Sequence, residues 1–276
     1  MKKTLFILLA CLGIAACNGY DGPAPESHLV VEGWIDSGGH PVVLLSESIP
    51  ARDGNISRKE MVESIARWGK VTVSDGEQEI VLTGMPDDRY MPPYVFTTSK
   101  ITGVPGREYR LNAEYKDFHA TATTVIPEPV PLDTIYTLPL SDSLFCIMCG
   151  FTDPVDETNY YRAFTRTEGI DKKYQPSTLA YMSDDVFSGY AEMQIASTER
   201  FNERLYELNI KLGDVVSVKF CTCDRRTFLF WQNFEVMLGT NANATYYFDT
   251  DMNGGLEGAL GYWAGYGASY YTVKIE

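Results

Sequence analysis

Short runs in which apolar and polar residues alternate recur along most of this chain, and a period of two is the pattern of strands. In the first half these runs are His28–Ile35, Pro41–Ser46, Lys70–Ser74, Gln78–Thr83, Tyr94–Thr98 and Glu108–Thr124. Asp75-Gly76 separates two of them, which is a strong signal for a β-hairpin. Many short strands with regular turns predict a β-sandwich of the immunoglobulin-like type.

One segment between these strands breaks the alternation. Ser57-Arg58-Lys59-Glu60 matches the capping box that begins many helices. Apolar residues recur around it at roughly helical spacing: Ile56, Met61, Ile65 and Trp68. We therefore expect a short helix inserted in a first domain that covers residues 28–125.

A proline-rich segment marks the predicted domain boundary. Residues 126–133 contain three alternating prolines, which favour a stiff extended linker. A second β-rich domain is predicted over residues 134–276. Its expected strands are Ser143–Phe151, Asn159–Arg166, Arg204–Ile210 and Val215–Thr222. Glu168–Glu192 shows little periodicity and is predicted to be a long loop.

A helix is expected after Val215–Thr222. Asp224 is a suitable N-cap residue and Gly239 a suitable end. The aromatic stripe between them is formed by Phe228, Trp231 and Phe234, followed by Leu238. Core packing is the favoured role of such a stripe. The fold class is therefore mainly β, with one or two short helices in the second domain.

The first 17 residues have the layout of a secretory signal. Lys2 and Lys3 precede the apolar run Thr4–Ile14, and Ala15-Ala16 lead into Cys17. The sequence around Cys17 resembles the lipobox of bacterial lipoproteins, which implies cleavage of residues 1–16 and lipid attachment at Cys17. Two acyl chains suffice for stable anchoring. Residues 17–27 would then form a flexible tether. The alternative is a plain signal peptide with an incidental cysteine.

Charge narrows the classes of partner. Loss of Lys2 and Lys3 lowers the basic count from 23 to 21 against 37 acidic residues, so the remaining 260 residues carry a net charge of −16. A chain this acidic repels phosphate backbones, so we expect no nucleic-acid partner. It also repels anionic lipid headgroups, so membrane attachment is expected to depend on the lipid anchor.

Four further cysteines form two close pairs, Cys146/Cys149 and Cys221/Cys223. An even number of cysteines in an oxidising compartment favours disulfides. On an extended strand Cys146 and Cys149 would lie about 10 Å apart, too far for a bond within the pair, so bonds between the two pairs are expected. One disulfide with two free thiols, or a four-cysteine zinc site, remain alternatives.

The glycine-rich segment Leu260–Tyr271 is the best candidate for a binding surface. It alternates as a strand, with Tyr262 and Tyr266 on one face and Trp263 beside bare glycines on the other. An exposed Trp263 would offer a flat platform to a sugar or a partner strand. The favoured alternative is that these aromatic residues pack inside the sandwich and the glycines allow close backbone approach.

Motifs for catalysis are absent from the sequence. It contains no G-x-S-x-G, H-E-x-x-H or G-x-x-x-x-G-K pattern, and its three histidines are isolated. Asp249, Asp251 and Asn253 match the first half of a calcium loop, but Leu260 stands where the last carboxylate ligand belongs. A plain surface turn is the alternative. We expect no catalytic residue, no cofactor and no bound metal.

Several features in order resemble one known family. They are the lipobox, LVVEGWI after it, the Val-Thr-Val-Ser-Asp-Gly hairpin, Gly103-Val-Pro-Gly106, the proline-rich linker with Asp133-Thr-Ile-Tyr136, and the final Gly254–Tyr266 segment. This pattern resembles the outer-membrane lipoproteins of domain-of-unknown-function family four-two-four-nine. The resemblance covers nearly all of the mature chain. It implies a β-rich envelope lipoprotein that acts beside TonB-dependent outer-membrane transporters or in surface assemblies.

Three hypotheses for the function follow. The first is a non-enzymatic binding or accessory lipoprotein of an outer-membrane uptake system, on the periplasmic or the cell-surface side, with a β-barrel transporter as partner and a carbohydrate or another small molecule as ligand. The second is a structural or adhesive surface lipoprotein. The third is a carbohydrate-active hydrolase, which would need a deep pocket with two carboxylates about 5–9 Å apart.

Overall fold

The computed structural model describes residues 26–49, 57–154, 157–195, 210–239 and 254–276. The strands of the first half are β1 (Leu29–Asp36), β2 (Val42–Glu47), β3 (Lys70–Ser74), β4 (Glu79–Val81), β5 (Thr83–Pro86), β6 (Tyr94–Thr97), β7 (Glu108–Tyr115) and β8 (Phe118–Val125). The later strands are β9 (Thr134–Pro139), β10 (Leu144–Thr152), β11 (Tyr160–Thr167), β12 (Gln175–Ser183), β13 (Tyr190–Ile195), β14 (Ile210–Lys211), β15 (Val215–Cys223), β16 (Leu256–Glu257) and β17 (Leu260–Lys274). The helices are α1 (Arg58–Glu63) and α2 (Arg225–Gly239).

These strands form three sheets. The largest has eight strands in the order β12-β11-β15-β17-β1-β2-β6-β5. A five-stranded sheet, β16-β8-β7-β3-β4, faces its first-half strands, and a smaller sheet of β13-β10-β14 with β9 faces its second-half strands. The predicted fold class is confirmed in that the protein is mainly β, with facing sheets in each half and two helices.

Each pair of facing sheets encloses its own apolar core. In the first core the inward residues of β1, Leu29, Val31 and Ile35, are fully buried, as alternation predicts. In the second core Phe151, Tyr161 and Phe220 pack together, with ring centroids 4.4–5.6 Å apart. Inward-facing residues on alternate positions therefore drive both halves to fold.

The last strand belongs to both halves. Leu260–Tyr266 of β17 pair in parallel with β1, and Gly267–Lys274 pair antiparallel with β15. The linker at residues 126–133 stays a predicted domain boundary, but the pairing of β17 crosses it. A Cβ at Gly267 would lie only 2.5 Å from the backbone oxygen of Pro127, so glycine lets the linker cross close to the strand.

One local expectation was confirmed and two were wrong. Ser57 and Glu60 form the full capping box of α1. The predicted loop at residues 168–192 instead contains β12 and β13. A register shift and the positive φ of Leu179 interrupt the alternation of β12, which hides the strand from the sequence pattern.

The predicted apolar stripe of the first helix is also incorrect at its end. Helix α1 stops at Glu63, and Ile65 forms a bridge to Ser46 of β2. Trp68 then lies in the following turn with 92% of its side chain exposed. The predicted strand at Arg204–Ile210 lies outside the described residues except for Ile210, which belongs to β14.

Candidate binding surface

Helix α2 covers part of the outer side of the eight-stranded sheet. It begins as predicted, because Asp224 Oδ1 accepts a hydrogen bond from the Thr227 backbone N–H at 2.7 Å. Phe228 and Trp231 are buried against the sheet, and the Trp231 indole N–H donates to the Tyr266 hydroxyl at 2.8 Å. The predicted aromatic stripe therefore packs in a third core.

A buried ion pair fixes α2 to the sheet. Arg162 of β11 lies 2.7 Å from Glu235 of α2, and the two side chains are 1% and 9% exposed. The Arg162 guanidinium also lies 5.0 Å from the centre of the Trp231 ring. Such a pair fixes the helix in one position, because breaking it would leave a charge buried and unpaired.

Beyond α2 the same side of the sheet carries half-exposed aromatic residues among charged ones. We call this surface the aromatic face. It consists of Trp34, Tyr90, Tyr174 and Tyr270 together with Glu32, Asp36, Lys173 and Lys219. Five different parts of the chain contribute to it: β1, the loop after β5, the segment before β12, β15 and β17.

The centre of the aromatic face is a network around Asp36. Lys219 Nζ lies 2.6 Å from Asp36 Oδ1, and the Tyr270 hydroxyl donates to Asp36 Oδ2 at 2.8 Å. The lysine reaches across β17, with its ammonium 4.7 Å from the centre of the Tyr266 ring. Tyr270 is half exposed, yet its hydroxyl is fixed in direction. The network therefore presents this ring in a single orientation.

Two segments outside the sheet complete the surface. Tyr90 packs against Trp34 with ring centroids 6.1 Å apart. Lys173 lies over the Tyr90 ring at 5.1 Å and 3.8 Å from the Glu32 carboxylate. Tyr174, the next residue, contacts the Tyr270 ring at 5.8 Å. The segment before β12 thus reaches across the sheet to β1.

Two phenols of this face have raised pKa values. Burial raises the pKa of Tyr270, and the charge and hydrogen bond of Asp36 raise it further. Burial likewise raises the pKa of Tyr90. Both hydroxyl groups therefore stay neutral at physiological pH and can donate and accept hydrogen bonds.

The rings of this face do not form a flat platform in pairs. The Trp34 and Tyr90 rings are tilted by 49°, and the Tyr174 and Tyr270 rings by 53°. Tyrosine and tryptophan are side chains that are enriched in protein interfaces.

An acidic cavity of about 330 Å³ lies elsewhere, near the start of β11. Asp153, Glu157, Asp184 and Asp185 line it. Asp153 Oδ1 accepts hydrogen bonds from the Tyr161 hydroxyl and the Asn159 amide. These contacts join the end of β10 to β11 and give the buried carboxylate a structural role.

Comparison with known proteins identifies the family. Residues 19–271 match the model of the domain of unknown function DUF4249. The chain belongs to the DUF4249 family. No curated protein matches it. Among solved structures, bovine butyrophilin is similar at 12% identity, over 73% of this chain and 93% of that one, but a TM-score of 0.20 is too low to support any argument.

In this DUF4249 chain the aromatic residues expected at the last strand are buried. Tyr262, Trp263 and Tyr266 are 6%, 1% and 1% exposed. Trp263 fills the first core and its indole N–H donates to the Tyr109 backbone oxygen at 3.0 Å, while Tyr262 and Tyr266 pack under α2. The favoured alternative of the sequence analysis is therefore the correct one: these three aromatic residues pack inside the protein, because both faces of β17 are covered.

The four cysteines are free and buried. Cys149 faces the second core from β10, whereas Cys221 and Cys223 face α2 on the opposite side of β15. The expected bonds between the pairs are not formed, because the eight-stranded sheet lies between those side chains. Burial raises the pKa of Cys149 to about 12 and those of Cys221 and Cys223 as well, which makes these thiols unreactive. Cys146 is buried on the other face of β10.

Two further predicted sites fall outside the described residues. Cys17 is one, and Asp249–Asn253 of the half calcium loop is the other. Within the described residues no group of His, Cys, Asp or Glu could hold a metal, and no helix is long and apolar enough to span a membrane.

The sequence contained a partial signal for the aromatic face. Glu32, Trp34 and Asp36 occupy the outward positions of β1, so their alternation placed them on one face. Tyr90 and Tyr174 lie in segments without periodicity, and only the fold brings them to this face.

Proposed function

We propose that this protein is an outer-membrane lipoprotein, anchored through Cys17, that acts by binding and not by catalysis. In this proposal it is an accessory component of an envelope uptake system and docks on a β-barrel transporter. The observation that carries the proposal is the aromatic face, a set of tilted, partly exposed rings in which Tyr270 is fixed by the Asp36 network. Membership of the DUF4249 family assigns neither an activity nor a location.

The site geometry favours binding over hydrolysis. Glu32 and Asp36 lie on one face of β1, but four residues of strand separate them by about 13 Å, beyond the about 5–9.5 Å between the carboxylates of glycoside hydrolases. In the acidic cavity, Asp153 already serves the fold through Tyr161 and Asn159.

The test is a pull-down of the tagged protein from solubilised membranes of its native host, read by mass spectrometry. We expect one β-barrel transporter in near-stoichiometric amount with the unaltered protein. Tyr270→Ala combined with Tyr174→Ala should remove it, since both rings belong to the aromatic face. Tyr190→Ala is the matched control.

Tyr190 is a close match for Tyr270. It is 52% exposed against 50%, and its hydroxyl also donates to a carboxylate, Glu192, at 3.0 Å, but it lies on β13 of another sheet. If the transporter were lost from the pull-down with Tyr190→Ala but not with the double variant, its contact would lie on a surface other than the aromatic face. Recovery of the protein by itself, or only in large assemblies of itself, would refute the accessory role and favour a structural one.

A further inference from the structure

Trp68 is exposed far beyond what is usual for tryptophan. Its side chain is 92% exposed, whereas Trp231 and Trp263 are 5% and 1% exposed. Tryptophan is highly buried on average, because its large ring gains most from leaving water. An isolated, fully exposed tryptophan therefore needs a reason in its surroundings.

The backbone around Trp68 is held against β2. Ala66 is fully buried and its N–H donates to the Leu45 backbone oxygen at 3.0 Å. Gly69 N–H donates to the Ala66 oxygen at 3.0 Å, and a Cβ at Gly69 would lie 2.5 Å from a Leu45 methyl group. The turn is thus tied to β2 through Ala66 and packs closely on Leu45 at Gly69, with Trp68 exposed between them.

Trp68 lies at the end of the sandwich from which the N-terminal segment leaves. Glu47, the last residue of β2, pairs with Leu29, the first residue of β1, and its N–H donates to the Ser64 oxygen. Lys70, two residues after Trp68, pairs with Glu114 at the end of β7. The start of β1, the end of β2, helix α1 and Trp68 therefore share one end, which we call the tether end. From there, twelve residues lead back to Cys17.

The tether end is less acidic than the chain as a whole. The chain as a whole is strongly acidic. At this end three carboxylates are paired with lysines: Glu63 with Lys59, Glu114 with Lys70 and Glu47 with Lys116. Arg67, beside Trp68, is exposed. Repulsion from phosphate headgroups is therefore smaller here than the net charge suggests.

We propose that the tether end rests on the membrane and that Trp68 inserts into the headgroup layer, so that the protein has a second lipid contact besides its acyl chains. This inference rests on the proposed lipid anchor at Cys17. Tryptophan is the side chain that prefers the membrane–water interface, since its ring is apolar and its N–H can donate to headgroups. The twelve residues that lead back to Cys17 span up to about 40 Å. This length allows the tether end to contact the membrane but does not force it to do so.

A second contact would give the protein a fixed orientation. Strand β17 starts opposite Val30 at the tether end and runs away from it for fourteen residue steps, about 46 Å. Tyr270, ten steps along, would then stand up to about 33 Å above the membrane surface. The part of the aromatic face around Tyr270 would thus be presented above the headgroups.

The experiment measures tryptophan fluorescence of the lipidated full-length protein in phosphatidylcholine vesicles whose acyl chains carry bromine, a short-range quencher. Compared with vesicles of unbrominated lipid, the unaltered protein should lose up to about a quarter of its emission, because Trp68 is one of four tryptophans. Trp68→Ala should abolish this loss without altering thermal unfolding, since the ring contacts water and not the core.

The matched control moves the indole to the other end of the molecule. Leu212 is 66% exposed in the turn beside Ile275, at the far end of β17. In the double variant Trp68→Ala/Leu212→Trp, the new tryptophan should not be quenched. Equal quenching of the unaltered protein and Trp68→Ala would overturn the proposal, and so would quenching of the indole at position 212.

A separate measurement distinguishes the lipid anchor at Cys17 from the contact of Trp68 with the headgroups. Labelled palmitate should be incorporated into the unaltered protein and Trp68→Ala alike, and lost in Cys17→Ser. Labelling without Trp68 quenching would overturn the lipid contact and leave the anchor standing. Quenching of Trp68 without labelling would support the contact while refuting the proposed anchor.

Discussion

Replacement of Asp36 by alanine tests whether the two halves of the protein are held together across the last strand. The carboxylate accepts from Lys219 at 2.6 Å and from Tyr270 at 2.8 Å. The Lys219 side chain is 5% exposed and that of Asp36 14%, so water cannot replace the lost partner. Removal of one partner of a buried pair costs about 3–5 kcal/mol, and the slight exposure of Asp36 puts the expected loss near 3 kcal/mol.

The assay is equilibrium unfolding in urea. Asp36→Ala should lower the midpoint markedly, and the double variant Asp36→Ala/Lys219→Met should recover most of the loss, because an apolar side chain no longer needs a charged partner. Asp88→Ala is the control. Asp88 pairs with Lys172 at 2.7 Å, but both side chains are more than half exposed, so its removal should leave stability unchanged within error.

The shape of the urea unfolding transition provides a second test. Asp36 lies on β1 and Lys219 on β15, with β17 between them. If β17 couples the halves, Asp36→Ala should shift one cooperative transition. Three outcomes would contradict this reasoning. Asp36→Ala could lose no more stability than Asp88→Ala, or the double variant could be no more stable than Asp36→Ala. The third is two separate unfolding transitions of which only one is shifted.

Three further changes follow from buried groups. Trp263→Ala should cost about 3–5 kcal/mol in the same urea assay, because it empties the first core beside β17. With Cys11 and Cys17 both replaced by serine, a thiol reagent at pH 8 should label none of the four buried cysteines in the folded protein and all four in denaturant, since burial raises the pKa of Cys149, for example, to about 12. Burial opposes ionisation of Asp75, but hydrogen bonds from the following turn outweigh it and keep its pKa below 3.8. The stability lost in Asp75→Ala, about 1–3 kcal/mol, should therefore be complete at pH 7 and shrink as the pH falls through that lowered pKa.

Local structure was largely predictable from the sequence, because its signals are short-range. The turn at Asp75-Gly76, the capping box at Ser57 and the cap at Asp224 each depend on residues within four positions of one another. Strand β12 was missed, since the bulge after Arg162 in its pairing and the positive φ of Leu179 break the alternation that identifies strands.

Partners distant in sequence were not predictable in the same way. Alternation showed which residues of Leu260–Tyr271 share a face, but not that β1 pairs with this strand across 230 residues of sequence. The burial of Trp263 follows from that pairing, because the five-stranded sheet covers one side of β17 and α2 covers part of the other. The same reason separates Cys149 from Cys221, since strand assignment does not reveal which sheet each strand joins.

The position of β17 also connects the two proposals. One continuous strand pairs with β1, which begins at the tether end, and carries Tyr270 of the aromatic face. The ion pair of Lys219 and Asp36 joins the strands on either side of β17. The tether end and the aromatic face therefore cannot move independently without breaking this buried ion pair. An orientation imposed by Trp68 at the membrane would therefore be transmitted to the aromatic face. A transporter partner would meet Tyr270 at a fixed height, and Trp68→Ala should weaken its recovery in the pull-down without changing a single contact of the aromatic face.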